Sequence, residues 1–149
     1  MAGLALTSLV VGALLAADVS ENEANTKDVQ QLQGTWQLTA GEYDGKRYSE
    51  LQVKQSQIVF DGNRYSVPAS DVGFSQTGTI KIDATTKPKR LEFSPAQDPD
   101  MGKTFLGIYE LEGDTYKVCF ALPGKERPKE FVSEPFSGYT LHIWKRINK

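Results

Sequence analysis

From residue 34 onward, apolar and polar side chains alternate along the chain with a period close to two. Such alternation is typical of β-strands that bury one face. Most of these segments are rich in β-branched and aromatic residues, as strands are. The first segment begins at Gly34, and seven more cover residues 53–60, 64–67, 77–82, 89–93, 104–111, 115–121 and 139–147. No later segment shows a sustained helical period, so the pattern predicts an all-β domain over residues 32–149.

The connections between these segments alternate between short and long. The short connections are residues 61–63, 83–88 and 112–114, and the long ones are residues 40–51, 68–76, 94–102 and 122–138. In an up-and-down sheet, alternate connections lie at opposite ends. We therefore predict an eight-stranded antiparallel up-and-down barrel, closed at one end by tight turns and bordered at the other by loops. A two-sheet sandwich is the alternative, although barrel closure has the advantage of removing both free sheet edges.

The stretch LQGTW places Gly34 and Trp36 at the entry to the first strand. This G-x-W motif resembles the signature of lipocalin-like barrels. The resemblance implies that Trp36 plugs the closed end of the barrel. It also implies that a basic side chain of the last strand, Arg146 or its neighbour Lys145, covers the tryptophan ring.

A longer resemblance covers most of the chain after residue 32. It rests on LQGTWQL, GTIKIDATTKPK, GKTFLGIYELEGDTYKVCFALPGKERPKEF and SGYTLHIWKR. These segments are similar to a family of small exported proteins and domains abundant in planctomycete bacteria, most of them conserved proteins of unknown function with a lipocalin-like barrel. The resemblance implies a fold and export, and it assigns no activity and no functional residues.

The amino-terminal segment, residues 1–17, holds no charged side chain and is apolar from Leu4 to Ala17. We interpret it as an export signal, with an uncleaved anchor as the alternative. The predicted location is therefore periplasmic or secreted, with no membrane span after signal removal. No Lys or Arg lies near Met1, which is unusual for such a signal. Residues 18–31 are predicted to be a polar linker with at most a short helical turn, and nothing is expected to pack before Leu32.

Composition adds few candidate functions. The chain has 149 residues, a net charge of -2 and scattered charges, which gives no indication of nucleic-acid binding. Cys119 is the single cysteine and His142 the single histidine, so the sequence shows no metal-ligand spacing and predicts no enzyme, metal or cofactor. If Val118 faces inward, the two side chains can be cross-strand neighbours on the outer barrel face, where a reactive thiolate has no pocket.

Alternation also predicts which side chains point into the barrel. They are Trp36, Leu38, Val59, Tyr65, Val67, Ile80, Ile82, Leu91, Phe93, Leu106, Ile108, Tyr116, Val118, Phe120, Leu141 and Ile143. Two interpretations stay open at this point. These bulky side chains either fill the barrel completely or leave a cavity for one small ligand.

If a cavity exists, the long loops should surround its mouth. The predicted ligand-binding residues there are Tyr43, Tyr48, Phe74, Met101, Phe105, Arg127 and Phe136, with Lys125 close by. Aromatic and basic side chains together favour a small apolar or amphipathic ligand. The alternative is a filled barrel that binds another protein through the stiff, charged loop of residues 123–131.

Overall fold

The structure, a computed structural model, describes residues 10–68 and 76–149, and it describes side chains from residue 21 onward. The elements are α1 Val10–Leu32, β1 Gly34–Tyr43, β2 Lys46–Arg47, α2 Glu50–Lys54, β3 Gln57–Asp61, β4 Arg64–Val67, β5 Gln76–Asp83, β6 Lys89–Pro95, β7 Phe105–Glu112, β8 Thr115–Ala121 and β9 Tyr139–Asn148.

The sheet is a closed barrel. Strands β1 and β3 to β9 each pair with the next in antiparallel order, and β1 also pairs with β9. The two-residue strand β2 forms an additional hairpin with the end of β1. The predicted eight-stranded, all-antiparallel, up-and-down barrel is therefore confirmed, and the sandwich alternative is wrong.

Helix α1 covers the end of the barrel where the tight turns lie. The Asn25 Oδ1 atom accepts a hydrogen bond of 2.8 Å from the backbone N–H of Ala84, in the β5–β6 turn. The Gln33 Oε1 atom accepts one of 2.7 Å from Gly62, in the β3–β4 turn. Leu32 at the end of the helix is buried. The predicted linker of residues 18–31 is thus helical, and its carboxyl-terminal part packs on the barrel.

Asp28 ties α1 to two strands. Its Oδ2 atom accepts hydrogen bonds from the Tyr109 hydroxyl at 2.7 Å and from the Lys89 Nζ at 2.8 Å. Only 4% of Asp28 is exposed, and its bond to Tyr109 is buried, whereas Lys89 is partly exposed. The expectation that nothing packs before Leu32 was wrong because a polar sequence can still dock through one buried carboxylate.

Asp28→Ala should lower the free energy of unfolding by about 2 kcal/mol, because it leaves the buried Tyr109 hydroxyl without its charged acceptor. Urea denaturation followed by circular dichroism measures the change. Glu23→Ala, an exposed acid-to-alanine change on the same helix, is the control and should alter stability by less than about 0.5 kcal/mol. Equal effects of the two substitutions would show that Asp28 does not hold the helix in place.

One part of the barrel wall is made without a full strand pair. β1 pairs with β3 from Gly34 to Gln37, and β2 pairs only with Glu42 and Tyr43. Two single backbone bonds bridge the interval: Leu38 N–H to Ser56 O at 3.0 Å, and Tyr48 N–H to Gly41 O at 2.8 Å. The chain between these contacts includes α2, which begins at a capping box on Ser49. Residues 53 and 54, predicted as strand, belong to this helix.

The register identifies the inward face of every strand. Most of the predicted interior residues do belong to the core. Three strands are reversed: β3, β7 and β9. Their inward residues are Ile58, Phe60, Phe105, Gly107, Tyr109, Thr140, His142 and Trp144, and the predicted residues Val59, Leu106, Ile108, Leu141 and Ile143 point outward.

The β8–β9 connection explains the reversal of β7. It folds back along the outside of the barrel, where Pro128 is fully buried and the Cys119 thiol contacts the Val132 carbonyl oxygen at 3.5 Å. Ile108, on the outer face of β7, is buried. Because this connection covers the wall, β7 and β8 are apolar on both faces, and alternation alone does not show which face points inward.

Candidate functional site: the barrel cavity

The barrel contains a cavity of about 240 Å³ that is partly open to solvent. Strands β3 to β6, β8 and β9 supply its walls. The lining residues are Ser56, Ile58, Phe60, Tyr65, Val67, Gln76, Ile80, Leu91, Phe93, Tyr116, Val118, Phe120, His142 and Trp144. The lining is therefore mainly aromatic and aliphatic, with a few polar groups, which is the usual composition of a small-molecule site.

Aromatic rings pack around the cavity in well-ordered pairs. Phe93 stacks on Phe105 with ring centroids 4.7 Å apart, and Phe120 meets Phe93 edge to face at 4.9 Å. Tyr65 meets Phe93 edge to face at 5.9 Å. Such contacts hold each ring in one orientation. Packing between these side chains therefore shapes this part of the cavity.

Tyr65 is part of this lining, and its hydroxyl oxygen is buried. The residue is only 5% exposed, and its hydroxyl has no hydrogen-bond partner among the residues that the structure describes. Burial, together with the Asp100 carboxylate, raises the pKa of Tyr65 to about 12. The hydroxyl therefore stays protonated at neutral pH.

His142 and Tyr48 form a polar contact at the cavity. The His142 Nε2 atom and the Tyr48 hydroxyl share a hydrogen bond of 3.1 Å. The imidazole also packs edge to face on Phe120 and Trp144. Burial lowers the pKa of His142 to about 4, so the ring is neutral at pH 7.

The closed end of the barrel is built around Trp36, which is fully buried. Its indole N–H donates to the Leu32 carbonyl oxygen at 2.8 Å, and the guanidinium carbon of Arg146 lies 4.2 Å from the ring centroid. Arg146 also pairs with Asp114 at 3.0 Å and donates to the Gln31 and Gln33 carbonyl oxygens. A single guanidinium thus connects the tryptophan, α1 and the β7–β8 turn.

Gly34 lies beside this plug with a φ of +111°, a conformation that favours glycine. A Cβ atom at this position would also collide with the Asn148 backbone. The glycine therefore allows β1 and β9 to approach each other where the barrel closes.

The structure does not bring the predicted mouth residues together. Tyr43, Met101 and Phe136 are exposed at 41%, 59% and 97%. Phe105 is buried within β7. Tyr48 and Phe105 contact side chains that line the cavity, Tyr48 through its bond to His142 and Phe105 through its stack on Phe93. Phe74 lies outside the described residues.

Arg127, predicted at the mouth, lies instead against the outer wall. Its guanidinium donates to the carbonyl oxygens of Leu91 and Gly107 at 2.6 and 2.5 Å and lies 3.4 Å from a Glu92 carboxylate oxygen. Burial lowers the pKa of Arg127, and Glu92 opposes this effect. The side chain anchors its loop to the sheet on the outer wall, and not at the barrel mouth where it was predicted to lie.

The remaining candidates have no shared site. Cys119 points outward opposite Leu141, whereas His142 points inward opposite Val118, so the two are not neighbours on one face. Burial raises the pKa of Cys119 to about 11, which disfavours the thiolate. Within residues 10–68 and 76–149, no group of three His, Cys, Asp or Glu side chains could hold a metal ion. The helices in this part of the chain are also too short or too polar to cross a membrane.

The sequence analysis missed the polar contact between His142 and Tyr48 at the cavity. His142 was placed on the wrong face because Leu141 and Ile143 are the more apolar set of β9. The signal that was available is Trp144, since a tryptophan and a histidine two positions apart define an alternative inward face.

No family model matches the chain, and no curated protein or solved structure is significantly similar to it.

Proposed function

We propose that this protein is a lipocalin-like binding protein that holds one small, uncharged and mainly apolar ligand inside its barrel. The observation that carries the proposal is the cavity of about 240 Å³ with a preformed aromatic lining. A barrel of eight strands is large enough to enclose one small ligand. The filled barrel, which the alternative function requires, does not fit this cavity.

The volume limits the ligand to a small molecule. An apolar cavity of about 150 Å³ binds benzene, so a cavity of 240 Å³ has room for a compound of one or two rings. A long fatty acid would have to leave most of its chain outside. The amphipathic anion suggested by the mouth residues is therefore the less suitable occupant.

The charges of the side chains around the cavity also favour an uncharged ligand over an anion. No Lys or Arg side chain is among the described residues that line the cavity, and the undescribed residues 69–75 contain no Lys, Arg or His in their sequence. His142 is neutral at pH 7 because burial lowers its pKa. An anion would lose its hydration without gaining a cationic partner. The cavity therefore favours an uncharged compound.

Toluene should bind to the wild-type protein in a saturable manner, as measured by calorimetric titration at pH 7, because it places one uncharged ring among the aromatic side chains. Benzoate, which adds a carboxylate to the same ring, should bind at least about tenfold more weakly. Val118→Phe places a bulkier side chain in the cavity and should weaken toluene binding by at least about tenfold.

Val132→Phe is the matched control for this experiment. The substitution is the same, but Val132 lies on the exposed part of the β8–β9 connection and should leave toluene affinity unchanged. A flat titration of the wild-type protein with toluene and with two-ring hydrocarbons would refute the proposal. Equal weakening by both variants would place the binding site elsewhere.

The proposal extends to export and family. The apolar segment 1–17 supports an exported protein, and the resemblance to small planctomycete proteins supports the same view. The protein would then bind its ligand outside the cytoplasm.

The loop of residues 123–131 is held to the barrel by Arg127 and Pro128. This attachment favours a structural role for the loop over docking of a protein partner.

A further inference from the structure

Phe136 lies where the fold has no need of an aromatic side chain. The residue is 97% exposed, and its φ of +65° is unfavourable for a bulky side chain. The backbone N–H of Ser137 donates to the Glu134 carbonyl oxygen at 3.2 Å, which closes a turn. With Pro135 as its second residue, this turn matches type II, in which the third residue is usually glycine. Neither the turn nor the cavity therefore accounts for a phenylalanine at this position.

The turn of residues 134–137 is fixed to the open end of the barrel. Pro135 packs against Gly45, where an added Cβ would lie 2.6 Å from the proline nitrogen. The Asp44 Oδ1 atom accepts a hydrogen bond of 2.9 Å from the Gly138 N–H. Asp44 and Gly45 form the turn between β1 and β2, which lies at the open end. The exposed ring thus projects from a rigid support, and docking it to a partner costs little ordering of the chain.

Other exposed apolar side chains lie at the same end of the barrel. Tyr43 is the last residue of β1, Leu122 follows β8, and Met101 belongs to the β6–β7 connection. We refer to these three residues and Phe136 as the apolar rim. Several large apolar side chains exposed at one end of a protein indicate a surface that meets an apolar partner.

The arrangement of the apolar rim favours a lipid surface as that partner. Its side chains come from separate connections, and a fluid lipid layer adapts to scattered projections, whereas a protein needs a complementary surface. Charges of both signs lie beside them: Lys46 pairs with Tyr43 in the sheet, and Glu134 begins the turn that carries Phe136. Phosphatidylcholine head groups also carry both signs, whereas recognition of anionic lipids uses clusters of basic residues.

We propose that the apolar rim docks this protein on a zwitterionic lipid surface, with Phe136 inserted below the head groups. The inference goes beyond the proposed function, because docking requires no occupant in the cavity. It also provides a source of ligand for that function. The cavity lining includes Val67, the last residue of β4, and Gln76, the first of β5, so the cavity reaches the open end. A docked barrel therefore directs its cavity toward the lipid in which apolar compounds dissolve.

Quenching by brominated phosphatidylcholine shows which end of the barrel contacts the lipid. Bromine atoms on the acyl chains quench tryptophan fluorescence only at short range. Phe136→Trp adds a tryptophan at the open end, and Ile147→Trp adds one at an exposed position of β9 near the closed end. The wild-type full chain, in which Trp36 and Trp144 are buried, gives the background. Brominated vesicles should quench the added tryptophan of Phe136→Trp and leave that of Ile147→Trp unchanged.

The affinity for phosphatidylcholine vesicles measures the contribution of Phe136. Phe136→Gly suits the turn, so its stability in urea should equal or exceed that of the wild type. Vesicle binding should nevertheless weaken by about tenfold, because the inserted ring is lost. Ile147→Ala, which removes an exposed apolar side chain at the closed end, should leave vesicle binding unchanged. Adding phosphatidylglycerol to the vesicles should change the affinity by less than about twofold.

The outcomes distinguish this inference from its alternatives. Absence of vesicle binding by the wild type, or equal binding by Phe136→Gly, would overturn it. Quenching of Ile147→Trp in place of Phe136→Trp would place the lipid contact at the closed end, where α1 lies. Lipid-free self-association of the wild type that Phe136→Gly abolishes, seen by sedimentation equilibrium, would assign the apolar rim to a contact between two copies. Failure of toluene to bind, with vesicle binding intact, would refute the proposed function alone.

Discussion

Trp36→Ala should lower the free energy of unfolding by about 3 to 5 kcal/mol, the usual loss for a fully buried aromatic side chain. The substitution leaves a void at the closed end of the barrel. It also removes the indole bond to Leu32 and the ring beneath Arg146. Guanidinium denaturation of the wild-type protein and the variant measures the loss. A loss of this size is a large part of the total free energy of unfolding of a domain. The variant should therefore be only marginally folded at 37 °C.

Two controls identify the origin of the loss. Trp36→Phe keeps most of the apolar contact and should lose no more than about half as much stability. Phe136→Ala truncates an aromatic residue that is 97% exposed and should change stability by less than about 0.5 kcal/mol. If Trp36→Ala costs less than about 1 kcal/mol, Trp36 does not act as the plug.

Acidification should destabilise the protein through His142. Burial lowers the pKa of His142 from 6.5 to about 4, so the unfolded chain binds a proton in a pH range where the folded chain does not. The stabilisation associated with the neutral ring is complete above pH 6.5. It is lost progressively as the pH falls from 6.5 to 4, by up to about 3 kcal/mol in total.

Comparison with His142→Phe isolates this contribution. The variant keeps an aromatic ring at the position but cannot titrate, and the carboxylates that also titrate in this range are common to both proteins. Urea denaturation at a series of pH values from 7 to 4 gives both stability curves. The difference between the curves should change by up to about 3 kcal/mol over this range. Parallel curves would show that His142 titrates as it does in the unfolded chain.

Alternation and turn chemistry were sufficient to predict the barrel. The glycines of the DGN and EGD turns fixed two hairpins, and the order of short and long connections fixed the topology. Arg146 lies over Trp36 in the structure, which is the arrangement that the G-x-W resemblance implies.

The interior was harder to predict because it depends on what covers the outside. Ile108 is as apolar as an interior residue, and only the packed β8–β9 connection explains why it points outward. Similarly, Asp28 lies in a polar sequence, and its burial depends on Lys89 and Tyr109, which are distant in the chain. Local patterns do not contain such long-range partners, so neither the docked helix nor the cavity lining followed from them.

The interval in the wall between Gln37 and Glu42 has a consequence for ligand exchange. Here β1 is bridged on one side by two backbone bonds, and the segment carrying Tyr48 and α2 lies over the interval. Fewer backbone hydrogen bonds join this segment to β1 than join the longest strand pairs, although the Gln37 side chain also donates to the carbonyl oxygens of Val53 and Ser56. We therefore expect the wall to open locally in this interval more often than at the longest strand pairs, which would give a bound molecule a second route out of the cavity.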